Sequence, residues 1–211
     1  MLVTKAMNAT ELKIVARKIL RKTNVFLVQR FYQGRDYRVV VLDNHVISAY
    51  ERLPLSIVGD GRNTVATLLK QLQQRFVREG RDTHIDENDF RFRWKLRRSG
   101  YSPHSVIPRG VRVALLDNAN LSTGGESHEA TKAMHVDYRR LAAAVTQAMC
   151  LRLCGVDIIT SDITKPLDLE YIILEINGAP GLDHYAAKGK RQQKTVERLY
   201  TKVLRAIERS T

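Results

Sequence analysis

The chain is poor in cysteine and proline and contains no long apolar run. Two of its 211 residues are cysteine and five are proline. Cys150 and Cys154 stand four residues apart in a helical pattern, and packing thiols in a reducing compartment explain them better than a disulfide or a metal pair. No apolar stretch approaches the ~18 residues that indicate a membrane-spanning helix, and residues 1–5 lack the layout of a secretory signal. We therefore expect a cytoplasmic protein without a membrane partner.

Acidic residues are scarce relative to basic ones. The 22 Asp and Glu residues are outnumbered by 35 Lys and Arg residues, which gives a net charge of +13. This excess attracts polyanions such as nucleotide phosphates, nucleic acid or acidic polymers, although a basic solvated surface without a dedicated partner has the same composition. No motif that reads RNA or DNA accompanies the charge, so nucleic acid is only the runner-up among partners.

Histidine and serine are present without the arrangements that covalent or zinc chemistry requires. The six histidines are scattered without metal-ligand spacing, and no Ser/His/Asp or Cys/His arrangement indicates covalent catalysis. The sequence offers oxygen ligands, basic residues and Gly-rich turns instead. This combination points to Mg-nucleotide chemistry, in which catalysis consists mainly of positioning and of neutralising developing charge.

A polar strand near the C-terminus predicts a cation site. Across Ile172–Asn177 the residues alternate, and this period of two places Glu175 and Asn177 on one face of a strand. The strand ends in Gly178–Gly181, a turn whose backbone can approach a ligand closely. Oxygen-bearing side chains of this kind suit a hard cation such as Mg²⁺.

A second strand, predicted over residues 155–159, carries one further acid. If the two strands pair as a hairpin centred near Pro166, Asp157 lies opposite Glu175 and becomes the third oxygen ligand. The alternative is a half-exposed hairpin whose polar side chains only face solvent.

The remaining pattern predicts an α+β fold, mostly antiparallel sheet packed with helices. Helices are expected at residues 8–22, 63–76, 135–153 and 195–209, and strands at 25–31, 37–42, 45–50 and 111–116. The first three of these strands, joined by short turns, predict an antiparallel meander. Residues 80–110 are polar and weakly periodic, which predicts an irregular insertion. Within it, the alternation of basic and aromatic residues at 90–98 favours a strand with one basic solvated face; the alternative is a surface that binds an anionic polymer.

Five segments, in order, carry a resemblance to a known family. They are residues 28–41 (VQRFYQGRDYRVVV), 58–61 (VGDG), 118–125 (NANLSTGG), 155–157 (GVD) and 175–181 (EINGAPG). The chain resembles the ATP-grasp ligases from about Val25 onward. It is most similar to the ATP-grasp region of cyanophycin synthetases, with the bacterial bifunctional glutathione synthetases as near relatives.

This resemblance implies ATP-dependent carboxylate–amine ligation through an acylphosphate, with ATP and Mg²⁺ as cofactors and amino acids or peptides as substrates. Carried over by position, the backbone around Gln29, Arg30, Phe31 and Tyr32 meets adenine, Asp36 holds the ribose with Arg38 also at the nucleotide, and Asp157, Glu175 and Asn177 bind Mg²⁺. Arg52 lies near the transferred phosphoryl group, where a guanidinium suits phosphate oxygens, and Asn120 and Gly181 line the acceptor side.

The chain also departs from the family pattern. ATP-grasp ligases carry a preceding subdomain whose glycine-rich loop and lysine cover the phosphates, whereas residues 1–24 predict a helix and no such loop. We therefore expect residues 1–211 to be the C-terminal part of an ATP-grasp domain that lacks the first subdomain, completed by a missing N-terminal part or another subunit, and homo-oligomeric in the full-length parent. Leu116 and Tyr185 stand where cyanophycin synthetases tend to have arginine and histidine, which leaves the acceptor substrate open. The alternative is a non-catalytic nucleotide- or polyanion-binding remnant.

Overall fold

The computed structural model describes residues 3–167, 170–186 and 189–208, without the side chains of Asp183, His184 and Arg191. Its helices are α1 (Ala9–Leu20), α2 (Val65–Arg78), α3 (Phe90–Arg98), α4 (Val136–Ala148), α5 (Asp183–Ala186) and α6 (Lys190–Glu208), with a 3₁₀ turn at Leu121–Thr123. Its strands are β1 (Arg35–Leu42), β2 (His45–Leu53), β3 (Ser56–Val58), β4 (Arg112–Ala114), β5 (Glu126–Glu129), β6 (Leu153–Thr160) and β7 (Ile172–Asn177). No helix in these ranges is long and apolar enough to cross a membrane.

The chain divides into two compact units. The smaller contains Met1–Tyr32, Pro54–Lys70 and Asp86–Asn118, and the larger contains Gln33–Leu53, Gln71–Ile85 and Ala119–Thr211. The larger unit is built on a five-stranded sheet of order β5-β2-β1-β6-β7, in which each neighbouring pair is antiparallel. The predicted α+β class is therefore confirmed.

The β1–β2 hairpin forms as predicted, but the predicted meander is wrong. Asp43 and Asn44 both have positive φ, 45° and 62°, as a tight turn that follows the strand twist requires. Residues 25–31 form no strand and have no regular secondary structure; they belong to the smaller unit, where Val25 and Leu27 are 80% and 82% exposed. On the side away from β2, β1 pairs with β6 and not with residues 25–31. An apolar run becomes a strand only where a partner strand completes its hydrogen bonds.

Each face of the large sheet is covered by helices over part of its area. Alternate side chains of β1, such as Val39 and Val41, pack with Tyr138 and Ala142 of α4. On the opposite face, Val40 packs with the first half of α6 and with Leu182 and Tyr185; that cluster is completed by Tyr50, Leu121, Val196 and Leu199. Asp36 and Arg38 of β1 lie on this second face, at the end of the strand away from Leu42, because a strand alternates with a period of two.

The predicted shared helical face of Cys150 and Cys154 is wrong. Helix α4 ends at Ala148, and Cys150, exposed and with φ of 52°, turns the chain toward β6. Cys154 is buried in β6, with its sulfur 3.1 Å from the Thr146 hydroxyl. The helical spacing gave a wrong prediction because Cys154 belongs to β6, which pairs with the distant β1. A local pattern contains no information about that pairing.

In the smaller unit, residues 90–98 form helix α3 and not the predicted strand. Its N-terminus is capped by Asp89, whose carboxylate accepts from the amide of Arg91. Phe92 and Leu96, four residues apart, are its buried residues. The alternation of aromatic and basic residues imitated a strand, but the cap and the i, i+4 apolar pair decide the structure.

Candidate functional site

A row of polar side chains crosses the five-stranded sheet of the larger unit. Glu129 on β5 pairs with Tyr50 on β2, Tyr50 pairs with Arg38 on β1, Arg38 pairs with Asp157 on β6, and Asp157 pairs with Glu175 on β7. Directly paired residues of antiparallel strands project to the same face. The predicted pairing of the last two strands is thus confirmed, with Asp157 opposite Glu175.

The centre of this row is the ion pair of Arg38 and Asp157. The guanidinium Nε and Nη2 of Arg38 donate to Oδ1 and Oδ2 of Asp157, both at 2.7 Å, and only 2% of the Asp157 side chain is exposed. Burial works to lower the pKa of Arg38, but the hydrogen bonds and charge of Asp157 outweigh it and raise that pKa. The Arg38 guanidinium is therefore held in the charged state.

A second guanidinium, that of Arg52, reaches the same carboxylate. Its Nη2 lies 2.9 Å from Oδ2 of Asp157, and its Nε and Nη2 donate to Oδ1 of Asp36 at 2.9 and 2.6 Å. Arg52 is 5% exposed, so removal of either acid leaves a buried positive charge with one carboxylate partner instead of two. Burial raises the pKa of Asp36, with the charge of Arg52 opposing it in part.

Asn177 connects Glu175 to the same network. With its amide oriented to satisfy both neighbours, the amide nitrogen donates to Oε1 of Glu175 at 2.9 Å and the oxygen accepts from Nη2 of Arg38 at 3.0 Å. Glu175 itself is exposed. The position beside Asn177 on β6 is Gly155, where an added Cβ would lie 3.0 Å from Cβ of Pro180 and 3.6 Å from the Arg38 side chain. A glycine there leaves the space that Arg38 crosses.

The three predicted metal ligands fit Mg²⁺ in donor chemistry. Asp157, Glu175 and Asn177 offer carboxylate and amide oxygens, the ligand type that Mg²⁺ prefers. Within the described ranges no group of three His, Cys, Asp or Glu side chains could hold a metal, so Asn177 is needed to complete the set. Oxygens of Asp157 and Asn177 already accept from a cationic group, the guanidinium of Arg38.

The residues predicted to meet adenine lie in the smaller unit, whereas Asp36 and Arg38 lie in the larger. The predicted adenine-contacting residues have no regular secondary structure; they are Gln29, Arg30, Phe31 and Tyr32. Phe31 is 54% exposed, with Nζ of Lys5 3.4 Å from its ring centroid, and the guanidinium of Arg30 lies 5.5 Å from the ring centroid of Tyr32.

The predicted acceptor-side residues occupy two different settings. The carbonyl oxygen of Asn120 accepts from the amides of Thr123 and Gly125 at 3.1 and 3.2 Å, which closes the loop. An added Cβ at Gly125 would lie 2.6 Å from the carbonyl oxygen of Leu53, so this loop lies against the end of β2 that carries Arg52. Gly181 is exposed, and an added Cβ there meets nothing within 4 Å.

Sequence reasoning missed three residues next to this network, Tyr50, Ser127 and Glu129, and it did not foresee the contacts of Tyr185. Tyr185 stacks on Tyr50 with ring centroids 4.9 Å apart, and its hydroxyl donates to Oε2 of Glu129 at 2.9 Å. Ser127 pairs with Arg52, and its buried Oγ has no hydrogen-bond partner among the described residues. Tyr50 could have been found, since it ends a predicted strand two residues before Arg52, and this spacing places both side chains on one face if the strand continues. The four-residue strand β5 had no periodic signal that could reveal Ser127 or Glu129.

The chain is similar in sequence to known proteins over most of its length. Residues 117–196 match the model of a family described as the RimK-like ATP-grasp domain. The chain is 37% identical over 179 residues to the cyanophycin synthetase of Nostoc sp. (strain PCC 7120), covering 82% of this chain and 19% of that protein. It is 32% identical over 191 residues to the glutathione biosynthesis bifunctional protein of Streptococcus thermophilus (strain CNRZ 1066), covering 84% of this chain and 25% of that protein.

A solved structure shows the same relationship. The bifunctional glutathione synthetase from Pasteurella multocida superposes with a TM-score of 0.61 at 27% sequence identity, covering 82% of this chain and 24% of that one. The chain thus spans 19% to 25% of the length of these three relatives.

Proposed function

The chain carries a RimK-like ATP-grasp domain and is homologous over most of its length to cyanophycin synthetase and bifunctional glutathione synthetase, and from this relationship we propose that it is part of an ATP- and Mg²⁺-dependent carboxylate–amine ligase. A carboxylate oxygen of the substrate attacks the γ-phosphorus of ATP, the bond from this phosphorus to the β–γ bridging oxygen breaks, and the products are ADP and an acylphosphate. The amine nitrogen of a second substrate then attacks the acyl carbon, phosphate leaves, and an amide forms with loss of a proton. Amino acids or peptides are the proposed substrates.

One observation carries this proposal. Two guanidinium groups, of Arg38 and Arg52, meet around the buried carboxylate of Asp157 on three adjacent strands. Guanidinium groups held by carboxylates in this way are fixed in orientation and remain charged, which suits them to phosphate oxygens. Stabilising the charge that develops during phosphoryl transfer is the main task of such a site.

Each residue of the network has a proposed task. Arg38 binds nucleotide phosphate, Arg52 stabilises the phosphoryl group in transfer, and Asp36 orients Arg52 through the two hydrogen bonds to its Oδ1. Mg²⁺, when held by Asp157, Glu175 and Asn177, neutralises charge on the phosphate oxygens. Asn120 and Gly181 contribute to the acceptor side, and Gln29–Tyr32 contributes to the adenine contacts.

Binding of Mg-ATP tests the site assignment, measured by calorimetry on the wild type and on Glu175→Gln. Loss of a metal ligand is expected to weaken Mg-ATP binding about 10-fold or more. Glu197→Gln on the exposed surface of α6 is the matched control and is expected to bind as the wild type does. Equal affinity in Glu175→Gln and the wild type would contradict the assignment.

A second candidate is a non-catalytic nucleotide- or polyanion-binding module. It is favoured by the occupation of both Asp157 oxygens by guanidinium groups, an arrangement that can hold an anion without any metal. The two functions differ in turnover. A ligase releases ADP from ATP when amino acids or dipeptides are supplied to the full-length parent, whereas a binding module holds ATP and releases no ADP with any of them.

A further inference from the structure

The guanidinium of Arg38 lies among the oxygens that are assigned to the cation. It donates to both oxygens of Asp157 at 2.7 Å and to the oriented amide oxygen of Asn177 at 3.0 Å, while the amide nitrogen of Asn177 holds Glu175. All three proposed metal ligands are thus tied, directly or through one hydrogen bond, to a single positive group.

We propose that Arg38 occupies the cation position until an anion draws it away, so that nucleotide phosphate opens the site to the metal. The inference rests on the proposed function and adds a regulation to the same site. Arg38 is then both the first contact of the anion and the group that excludes a free divalent cation.

The two positive groups compete for the same oxygens. Mg²⁺ requires its ligand oxygens at about 2.0–2.1 Å in near-octahedral geometry. Arg38 already donates a hydrogen bond to each oxygen of Asp157 and to the amide oxygen of Asn177. A divalent cation placed among them would also stand beside the positive charge of Arg38 in a buried setting, where repulsion is poorly screened.

Of the two guanidinium groups, Arg38 is the one that can leave. Its side chain is 17% exposed, and Gly155 leaves the neighbouring space without a side chain. Arg52 is 5% exposed and is held by Asp36 as well as by Asp157. When Arg38 turns to a phosphate, Arg52 still balances Asp157 through Oδ2, and Oδ1 loses the donor that occupies it.

The proposal predicts opposite changes in two separate binding measurements. In Arg38→Gln, we expect Mn²⁺, used alone as a probe for Mg²⁺, to bind about 5-fold or more tightly than in the wild type, a coupling of ordinary size. We expect ATP in the presence of EDTA to bind about 5-fold or more weakly in the same variant. If Arg38 had only a structural role, Arg38→Gln would weaken both Mn²⁺ binding and ATP binding.

Three further variants make the result specific. Arg38→Lys retains the positive charge, and its Mn²⁺ affinity is expected to stay close to that of the wild type. Arg35→Gln removes a half-exposed arginine that pairs with Glu51 and is expected to change neither measurement. Addition of Glu175→Gln to Arg38→Gln is expected to abolish the gain in Mn²⁺ affinity, because that gain requires this carboxylate.

The inference is overturned if Arg38→Gln, shown to be folded by its circular dichroism spectrum and cooperative unfolding, binds free Mn²⁺ no more tightly than the wild type. If that variant does not fold, the wild type itself gives the test: Mn²⁺ is expected to bind about 5-fold or more tightly in the presence of inorganic phosphate than in its absence, and an equal Mn²⁺ affinity overturns the inference. Failure of the proposed function looks different, because the wild type then binds no Mg-ATP or Glu175→Gln leaves Mg-ATP affinity unchanged.

Discussion

The hydroxyl of Tyr185 donates a 2.9 Å hydrogen bond to Glu129 and so ties the short helix α5 to the edge strand β5. The ring of Tyr185 stacks on Tyr50, which pairs with Arg38. Tyr185, which stands where cyanophycin synthetases tend to have histidine, therefore packs on the residue that pairs with Arg38.

Tyr185→Phe is expected to lower the free energy of unfolding by roughly 0.5–1.5 kcal/mol, because the hydrogen bond from the buried Tyr185 to the exposed Glu129 is lost. Chemical denaturation of the two proteins measures the difference. Tyr200→Phe, at a tyrosine that is 42% exposed on α6, is the matched control and is expected to leave stability unchanged. An equal, small effect of both substitutions would show that the Glu129 contact contributes nothing.

Asp157→Asn and Glu175→Gln are expected to differ in stability although both weaken Mg-ATP binding. Asp157 is 1% exposed and joins Arg38 and Arg52, so its loss leaves buried positive charge and costs about 3–5 kcal/mol. Glu175 is exposed, and its change is expected to stay within about 0.5 kcal/mol. Thermal unfolding without ligand separates the two, and equal melting temperatures would contradict the role assigned to Asp157.

This asymmetry shows which part of the site a sequence can predict. The alternation in Ile172–Asn177 and the turn near Pro166 are local, and they placed Glu175 opposite Asp157 correctly. The partners of Asp157 are Arg38 on β1, which pairs with β6, and Arg52 on β2, the next strand beyond β1. Both lie more than 100 positions away from Asp157 in the sequence. Local periodicity carries no information about such a pairing, so the burial of Asp157 and its two guanidinium partners could not be anticipated.

The errors in the smaller unit have the same origin. Residues 25–31 carry a strand pattern but have no strand partner there, and Phe90–Arg98 alternates like a strand but forms a helix. In the first case an apolar run without a pairing strand stays irregular. In the second case the period-two pattern of charge competed with the helical pair Phe92 and Leu96, and burial of that pair decided the outcome.

Asp117 is expected to make the stability of the smaller unit depend on pH. Burial works to raise the pKa of Asp117, but hydrogen bonds from Lys95 and the amide of Lys5 outweigh it and lower that pKa below 3.8. The folded state therefore gains stability from the charged carboxylate above about pH 3.8, and this gain is lost as the pH falls through the lowered pKa.

The measurement is the difference in unfolding free energy between the wild type and Asp117→Asn. We expect roughly 1–3 kcal/mol at pH 7, since a part-buried set of charge-assisted hydrogen bonds is lost, and a smaller difference below about pH 3.8. Asp60→Asn is a poor control because it removes bonds to Arg62 and Asn63, so Glu87→Gln, at an exposed position before α3, serves instead. A difference that grows on acidification would contradict the assigned sign.

The two glycines near the acceptor side are expected to respond differently to alanine. At Gly125 an added Cβ lies 2.6 Å from the carbonyl oxygen of Leu53 and 2.9 Å from those of Ala119 and Asn120. These are backbone atoms that cannot turn aside, so Gly125→Ala must shift the loop and is expected to cost about 1–3 kcal/mol. At Gly181 nothing lies within 4 Å, and the stability of Gly181→Ala is expected to match the wild type.

Their effects on binding separate the roles of the two loops. Because Gly125 lies against the end of β2 that carries Arg52, a shifted loop is expected to weaken ATP binding together with stability. Gly181→Ala leaves the arginine network in place, so any effect must appear in the affinity for the acceptor amine, measured as KM in the full-length parent, with ATP binding unchanged. A Gly181→Ala variant with wild-type KM for the acceptor would remove Gly181 from the acceptor side.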